Sequence, residues 1–249
     1  MDVSRVRTFF GLPIPDIKYG KIISDQTYYG LIWEGQVIDH TSNVPVPVPS
    51  QDSACVVKMV LLSSGAHYNL EKKIYYHGHN KINGHVGIFE QNENKPYYHT
   101  YFAQRRCMSE SAFLTEANNL VKMSQINLSP AVYGVWIENH QDHADYGFIV
   151  MDRADCSLKD LLLTRHLTKS ENKVVINLIN TMHEKYHLVH RDLKPSNIGV
   201  YFDDDMRIDK CRLFDCQKVK SKKDMSDSQF KSRIRSDWSH FQKHGGSAH

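Results

Sequence analysis

Within eight residues, His190-Arg191-Asp192-Leu193-Lys194-Pro195-Ser196-Asn197, the chain sets out a carboxylate, an ammonium and a carboxamide at spacings of two and three. A carboxylate can orient a hydroxyl and accept its proton, an ammonium can neutralise charge on an anionic oxygen, and an amide oxygen can hold a hard cation. A second carboxylate, Asp215, closes the short run Cys211-Arg212-Leu213-Phe214. Far upstream, Lys58 interrupts the apolar run Ala54-Cys55-Val56-Val57-Lys58-Met59-Val60. A lysine inside such a run needs a partner, because burying its charge alone is costly. The plain alternatives are a surface turn at 190–197 and an edge-strand lysine that reaches water at 58.

The elements that must position these residues follow from apolar spacing. Val174, Val175, Leu178, Ile179 and Met182 recur on one face of a helix over 170–187, and Ile198-Gly199-Val200-Tyr201-Phe202 reads as a strand. The eight-residue motif therefore lies in a loop between a helix and a strand. Upstream, 17–38 reads as a two-stranded hairpin broken by Gly20, Gly30 and Gly35, and the Val-Pro repeat in 43–52 as an extended connector. Residues 54–60 form a buried strand. Residues 63–108, rich in His, Asn, Gly and Tyr, read as an insertion with an added helix near 70–76 and a hairpin after it. A helix over 109–123 is carried by Phe113, Leu114, Ala117, Leu120 and Val121 and capped by Ser109 or Ser111. Two strands, 131–137 and 146–151, come next, then a short helix capped near Ser157. In 218–235 seven basic residues stand against Asp224 and Asp227, which reads as a solvated loop or as a surface for an acidic partner or phosphate.

Composition narrows the class. The 249 residues are 41% hydrophobic and 24% charged with a net charge of +3, enough for a real core and too mild to argue for nucleic acid or membrane. No apolar run is long enough to span a bilayer, and Met1-Asp2-Val3-Ser4-Arg5 lacks the apolar core of a signal peptide. The five cysteines are scattered, with no Cys-x-x-Cys pair, which fits reduced thiols in the cytosol or nucleus. His67, His77, His79, His85 and His99 crowd one region without a Cys, Asp or Glu at a metal-ligand spacing, and read as loop histidines.

The form His-Arg-Asp-Leu-x-x-x-Asn resembles the catalytic loop of the eukaryotic protein kinases. The resemblance extends over about 17–240. Lys58 is similar to the kinase strand lysine that holds the α and β phosphates, and Glu116 to its helix partner, with Glu110 a competitor on the same helix. Asp215-Cys216-Gln217 stands where kinases carry Asp-Phe-Gly. In the stretch resembling the Gly-rich loop, Gly30 and Ile32 match, whereas Asp25 and Thr27 replace glycines. Met151 matches the gatekeeper, and the backbone of Asp152 to Ala154 matches the adenine-contacting hinge. Ser236-Asp237-Trp238-Ser239 resembles the start of the helix whose aspartate steadies the catalytic loop.

The resemblance implies an α+β, two-lobed protein-kinase-like fold, with a β-rich N-lobe over 1–151 and a reduced helical C-lobe over 152–249. It implies ATP and Mg²⁺ as cofactors and a protein substrate. Asp192 would orient the acceptor hydroxyl and Lys194 would stabilise the γ-phosphate, a lysine that favours Ser/Thr acceptors. Asn197 and Asp215 would hold Mg²⁺. The shortened C-lobe implies a partner chain covering a hydrophobic patch beside the 170–187 helix. Such a compact form resembles kinases of large DNA viruses or effectors acting inside host cells. The altered Gly-rich loop and Cys216-Gln217 leave a second reading, a scaffold of the same fold without turnover.

Overall fold

The computed structural model describes residues 3–24, 30–39, 54–62, 66–69, 74–77, 80–82, 108–140 and 145–245. These form a mixed α+β chain in two compact units, Met1–Asn118 with Ala131–Arg153, and Asn119–Pro130 with Ala154–His249. The division after Arg153 falls two residues beyond the expected boundary, and 119–130 counts with the second unit. Asp25 and Thr27, the Pro-rich connector and most of the insertion lie outside the described residues.

The first unit contains β1 (Val3–Thr8), β2 (Asp16–Ser24), β3 (Gly30–Asp39), β4 (Ala54–Leu62), β5 (Ala66–Asn69), β6 (Ile74–His77) and β7 (Asn80–Ile82). It also holds the first half of α1 (Glu110–Gln125), with β8 (Val132–His140) and β9 (Asp145–Asp152). Six strands pair antiparallel in the order β1-β8-β9-β4-β3-β2. β4 is almost wholly apolar because both of its faces are covered. Cys55, Val57, Met59 and Leu61 join Leu31, Trp33, Phe148 and Val150 in one core on one face. Val56, Lys58 and Val60 take the other face by strand alternation. That second face is where α1 packs: Phe113 lies on Gly147, where a Cβ would come within 2.7 Å of the ring.

The helix expected near 70–76 is corrected by the structure. Ile74–His77 is the middle strand of a separate three-stranded sheet, β5-β6-β7. The run Ile74-Tyr75-Tyr76 is β-branched and aromatic, which favours a pleated strand over a helix. The hairpin that is described, β6–β7, begins inside the span expected as helix, and the stretch from 83 to 107, where the hairpin was expected to follow, lies outside the described residues.

The second unit contains the rest of α1, β10 (Cys156–Ser157), α2 (Leu158–Thr164), α3 (Lys169–Asn180) and β11 (Leu188–Val189). It continues with β12 (Ile198–Phe202), β13 (Ile208–Leu213), β14 (Lys220–Ser221) and α4 (Asp227–Lys243). Strands β10, β12 and β13 make an antiparallel sheet, and β11 pairs with β14. Helix α2 is capped by Ser157, whose hydroxyl accepts from the Asp160 N–H at 3.1 Å. Helix α3 begins at a capping box of Thr168 and Glu171 and ends in one π-turn, Thr181–Lys185.

Val175, Leu178, Ile179 and Met182 are buried inside the unit. Val174 on the same helix is half-buried, and among the described residues of this unit the exposed large apolar side chains are Leu163 and Met206. Residues 227–235, expected as solvated loop, are the first half of α4, which starts at a Ser226–Gln229 capping box. The buried positions of α4 are Phe230, Asp237 and Phe241. A carboxylate in the apolar stripe, among lysines and arginines, hides the helical period.

Glu171 is buried and accepts from Arg165 at 2.8 and 2.5 Å, from the Thr168 N–H and hydroxyl, each at 2.9 Å, and from the Ile208 N–H at 3.3 Å. Chiefly through Arg165, these donors hold its carboxyl at about 2, down from 4.5. A depressed carboxyl stabilises the fold fully above its unfolded pKa, and the contribution drains away as pH falls through the folded one. Urea midpoints of the native chain should therefore fall between pH 4.5 and 2. In Glu171→Gln the midpoint should start lower at pH 7 and fall less over that interval.

Candidate active site

In the first unit Lys58 sits at the centre of the sheet, its strand bonded to β3 on one side and β9 on the other, so the edge-strand alternative does not hold. Ile32 and Ile149 lie directly opposite it and share its face. The Lys58 ammonium donates to Glu116 Oε1. Glu116 is 1% exposed and Lys58 18%. The competitor is otherwise engaged: Glu110 receives both guanidinium nitrogens of Arg7 at 2.9 and 2.8 Å. Ser109, not Ser111, caps α1 by accepting from the Ala112 N–H at 3.2 Å. Gly30 opens β3 opposite Val60.

Met151 is buried between Val56 and Val132. After it, the Asp152 N–H donates to Ala131 O at 2.9 Å and the Arg153 N–H to Ala54 O at 3.4 Å. The hydroxyl of Tyr133 donates to the Asp152 carboxylate.

In the second unit the loop from His190 to Asn197 is pinned at several points. Asp237, buried in α4, accepts from the backbone N–H groups of His190 at 2.8 Å and Arg191 at 2.7 Å. Its Oδ2 also meets His183 Nε2 at 3.1 Å. These bonds hold Arg191 in the left-handed region at φ 66. His190 is buried, with Nε2 2.9 Å from Phe214 O. Burial lowers its pKa more than the Phe214 carbonyl and the nearby carboxylates raise it, so the imidazole is neutral and donates to that carbonyl.

At the far end of the loop the Asn197 amide donates to Asp192 O at 2.9 Å, and the Phe214 N–H donates to Asn197 O at 2.9 Å. The β12–β13 ladder, with Ile198 opposite Leu213, thus carries Asn197 and Asp215 to the same end of one strand pair. Phe214 lies over Gly199, where a Cβ would overlap its ring at 2.2 Å. Cys216 is fully buried. The Asn119 amide ties down the segment after Asp215 by donating to Cys216 O at 2.9 Å.

Three cationic or basic groups surround the Asp192 carboxylate: Lys194 at 3.4 Å, Lys218 at 3.8 Å and His240 Nδ1 at 3.7 Å. Burial raises its pKa, but Lys194, Lys218 and His240 outweigh burial and hold it below the ordinary carboxylate value. It is ionised at neutral pH and able to receive a proton only transiently. No protein-family model matches the chain, and no curated protein matches it.

Asn197 and Asp215 carry hard oxygen donors, the kind a divalent cation takes. Nδ2 of Asn197 is committed to Asp192 O, which leaves Oδ1 as the side chain's acceptor. Asp215 is in the left-handed region at φ 54, and its side chain makes no capping bond to the turn that follows. No group of three or more His, Cys, Asp or Glu side chains among the described residues could hold a metal. Mg²⁺ does not need one, since it keeps waters and shares one or two protein oxygens with substrate phosphates.

The resemblance put Asp237 at the start of a helix; it lies well inside α4, ten residues after its first residue. His183, His240 and Asn119 carried no sequence signal at all, and Lys218 only its place in the basic run 218–235. Each acts through a tertiary contact, and none belongs to a spaced motif.

Proposed function

We propose that the two units are the lobes of a protein-kinase-like fold and that the chain is a Ser/Thr protein kinase, transferring the γ-phosphate of ATP to a protein hydroxyl. The observation that carries this reading is the hydrogen-bonded frame in which Asp237, His190, Phe214 and Asn197 fix the loop bearing Asp192 and Lys194. Asp192 orients the acceptor hydroxyl and takes its proton as the oxygen attacks. Lys194, already beside that carboxylate, stabilises negative charge on the phosphoryl oxygens. Asn197 and Asp215 would hold Mg²⁺, which would supply charge neutralisation on the nucleotide phosphates. Lys58, set by Glu116, grips the phosphates, while the Ala154 N–H and the Asp152 carbonyl bind adenine beside Met151. Catalysis here is positioning plus electrostatics, with no covalent enzyme intermediate.

The reading predicts Mg²⁺-dependent stabilisation by ATP. A ligand at 100 times its Kd adds about 2.7 kcal/mol to a folded state that alone binds it. In thermal shift assays ATP with Mg²⁺ should raise Tm by several degrees, ATP with EDTA by much less, and Asp215→Asn should lose most of the difference. No shift under any metal condition would remove the nucleotide from the account. A shift indifferent to Mg²⁺ would favour the scaffold reading.

A further inference from the structure

We propose that the basic segment Lys218 to Lys223 is the docking surface for the acceptor polypeptide, and that it selects hydroxyls flanked by Asp and Glu side chains. The inference rests on the phosphotransfer reading and names its substrate class. From 218 to 244 the chain has eight lysines and arginines against three aspartates, a surplus of five, in a protein whose whole net charge is +3. The acids of that stretch are spent locally. Asp237 is buried against the loop backbone, Asp227 pairs with Lys222 at 2.9 Å, and Asp224 accepts from the Ser221 N–H at 3.3 Å.

A run of lysines alone is an ordinary solvated face, but this one is fixed in place. Val189 pairs with Lys220 and Leu188 with Ser221, and the Lys222 N–H donates to His187 O at 2.8 Å. Val189 is three residues from Asp192, so the segment is laddered to the strand that feeds the loop. Lys220 and Lys223 are exposed.

Lys218 is the link to the chemistry. Its ammonium and that of Lys194 share one oxygen of Asp192, at 3.8 and 3.4 Å. Two cations on one oxygen repel each other, and Lys218, 56% exposed, is the freer to leave. A carboxylate arriving on the acceptor draws Lys218 off Asp192, and that oxygen then receives the acceptor hydroxyl. The ligand must offer an anion and a hydroxyl a few residues apart, which suits a polypeptide better than a nucleic acid strand.

The test uses serine peptides of one length with neutral, Glu-rich, phosphoserine-bearing and Lys-rich flanks, assayed for kcat/KM with the full chain. Glu-rich flanks should exceed neutral ones by about tenfold or more, since a charge-assisted hydrogen bond is worth that much, and Lys-rich flanks should fall below neutral. A preference for phosphoserine over Glu-rich flanks would overturn the assignment to Asp and Glu. Lys218→Glu/Lys220→Glu should collapse the anionic-to-neutral ratio to about one or below, with Tm checking that the variant folds. Equal rates for all flanks would overturn the inference and leave the kinase reading standing. In parallel, fluorescence anisotropy follows a Glu-rich peptide with Ala in place of the acceptor Ser. Salt-sensitive binding that the double substitution abolishes would support the surface even if no peptide were phosphorylated. Tighter binding of a single-stranded oligonucleotide than of the acidic peptide at the same salt would overturn it in favour of nucleic acid.

Discussion

Asp237→Ala should cost about 3–9 kcal/mol and leave no measurable phosphate transfer. The substitution strips acceptors from the His190 and Arg191 N–H groups and from His183 Nε2. Each such donor left unsatisfied in the interior costs about 1–3 kcal/mol. Against a typical total of about 5–15 kcal/mol, that is enough to unfold the second unit in part. Asp237→Asn separates stability from geometry. Its one carbonyl oxygen still serves a backbone donor, while its NH₂ opposes the other. The Asn variant should keep a cooperative melt at lower Tm and still lose activity by about 100-fold or more, because a small misplacement of catalytic groups is costly. An Asn variant with near-native rates would mean that the loop does not depend on this frame.

The second large effect concerns the buried ion pair of the first unit. Lys58→Met leaves the Glu116 carboxylate buried beside an apolar chain. Breaking a buried pair by removing one partner costs about 3–5 kcal/mol, most of it the stranded charge. The double variant Lys58→Met/Glu116→Gln removes that charge and should recover a substantial part of the loss in urea melts. On the proposed function it should recover none of the activity, which stays down about 100- to 1,000-fold because no ammonium is left for the phosphates. Restored transfer in the double variant would assign Lys58 to folding alone.

Much of this was legible in the sequence because it is local. The spacing within 190–197, the lone lysine in an apolar strand and the amphipathic helix over 109–123 are all short-range patterns, and β4 and α1 form where they were expected. Choosing Glu116 over Glu110 needed only the argument that its face adjoins the apolar stripe. What was not legible depends on tertiary contacts. Asp237 sits where a helix stripe would ordinarily be apolar, so the period of α4 is broken by the residue that matters most to the loop. His240 and Lys218 reach Asp192 from 48 and 26 residues away in sequence, with no motif to mark them. β13 packs on α3 within the second unit, a contact between segments about thirty residues apart that no local pattern announces.

The central claim is that Asp192 serves a hydroxyl in phosphate transfer. The most direct measurement is transfer of label from γ-labelled ATP with Mg²⁺ to a mixed polypeptide acceptor, native chain beside Asp192→Asn, with Tm showing both folded. The account predicts label on serine or threonine from the native chain and at least about a 1,000-fold lower rate from the variant. Equal incorporation by the two proteins, or none by the native chain while it binds ATP and Mg²⁺, would contradict it.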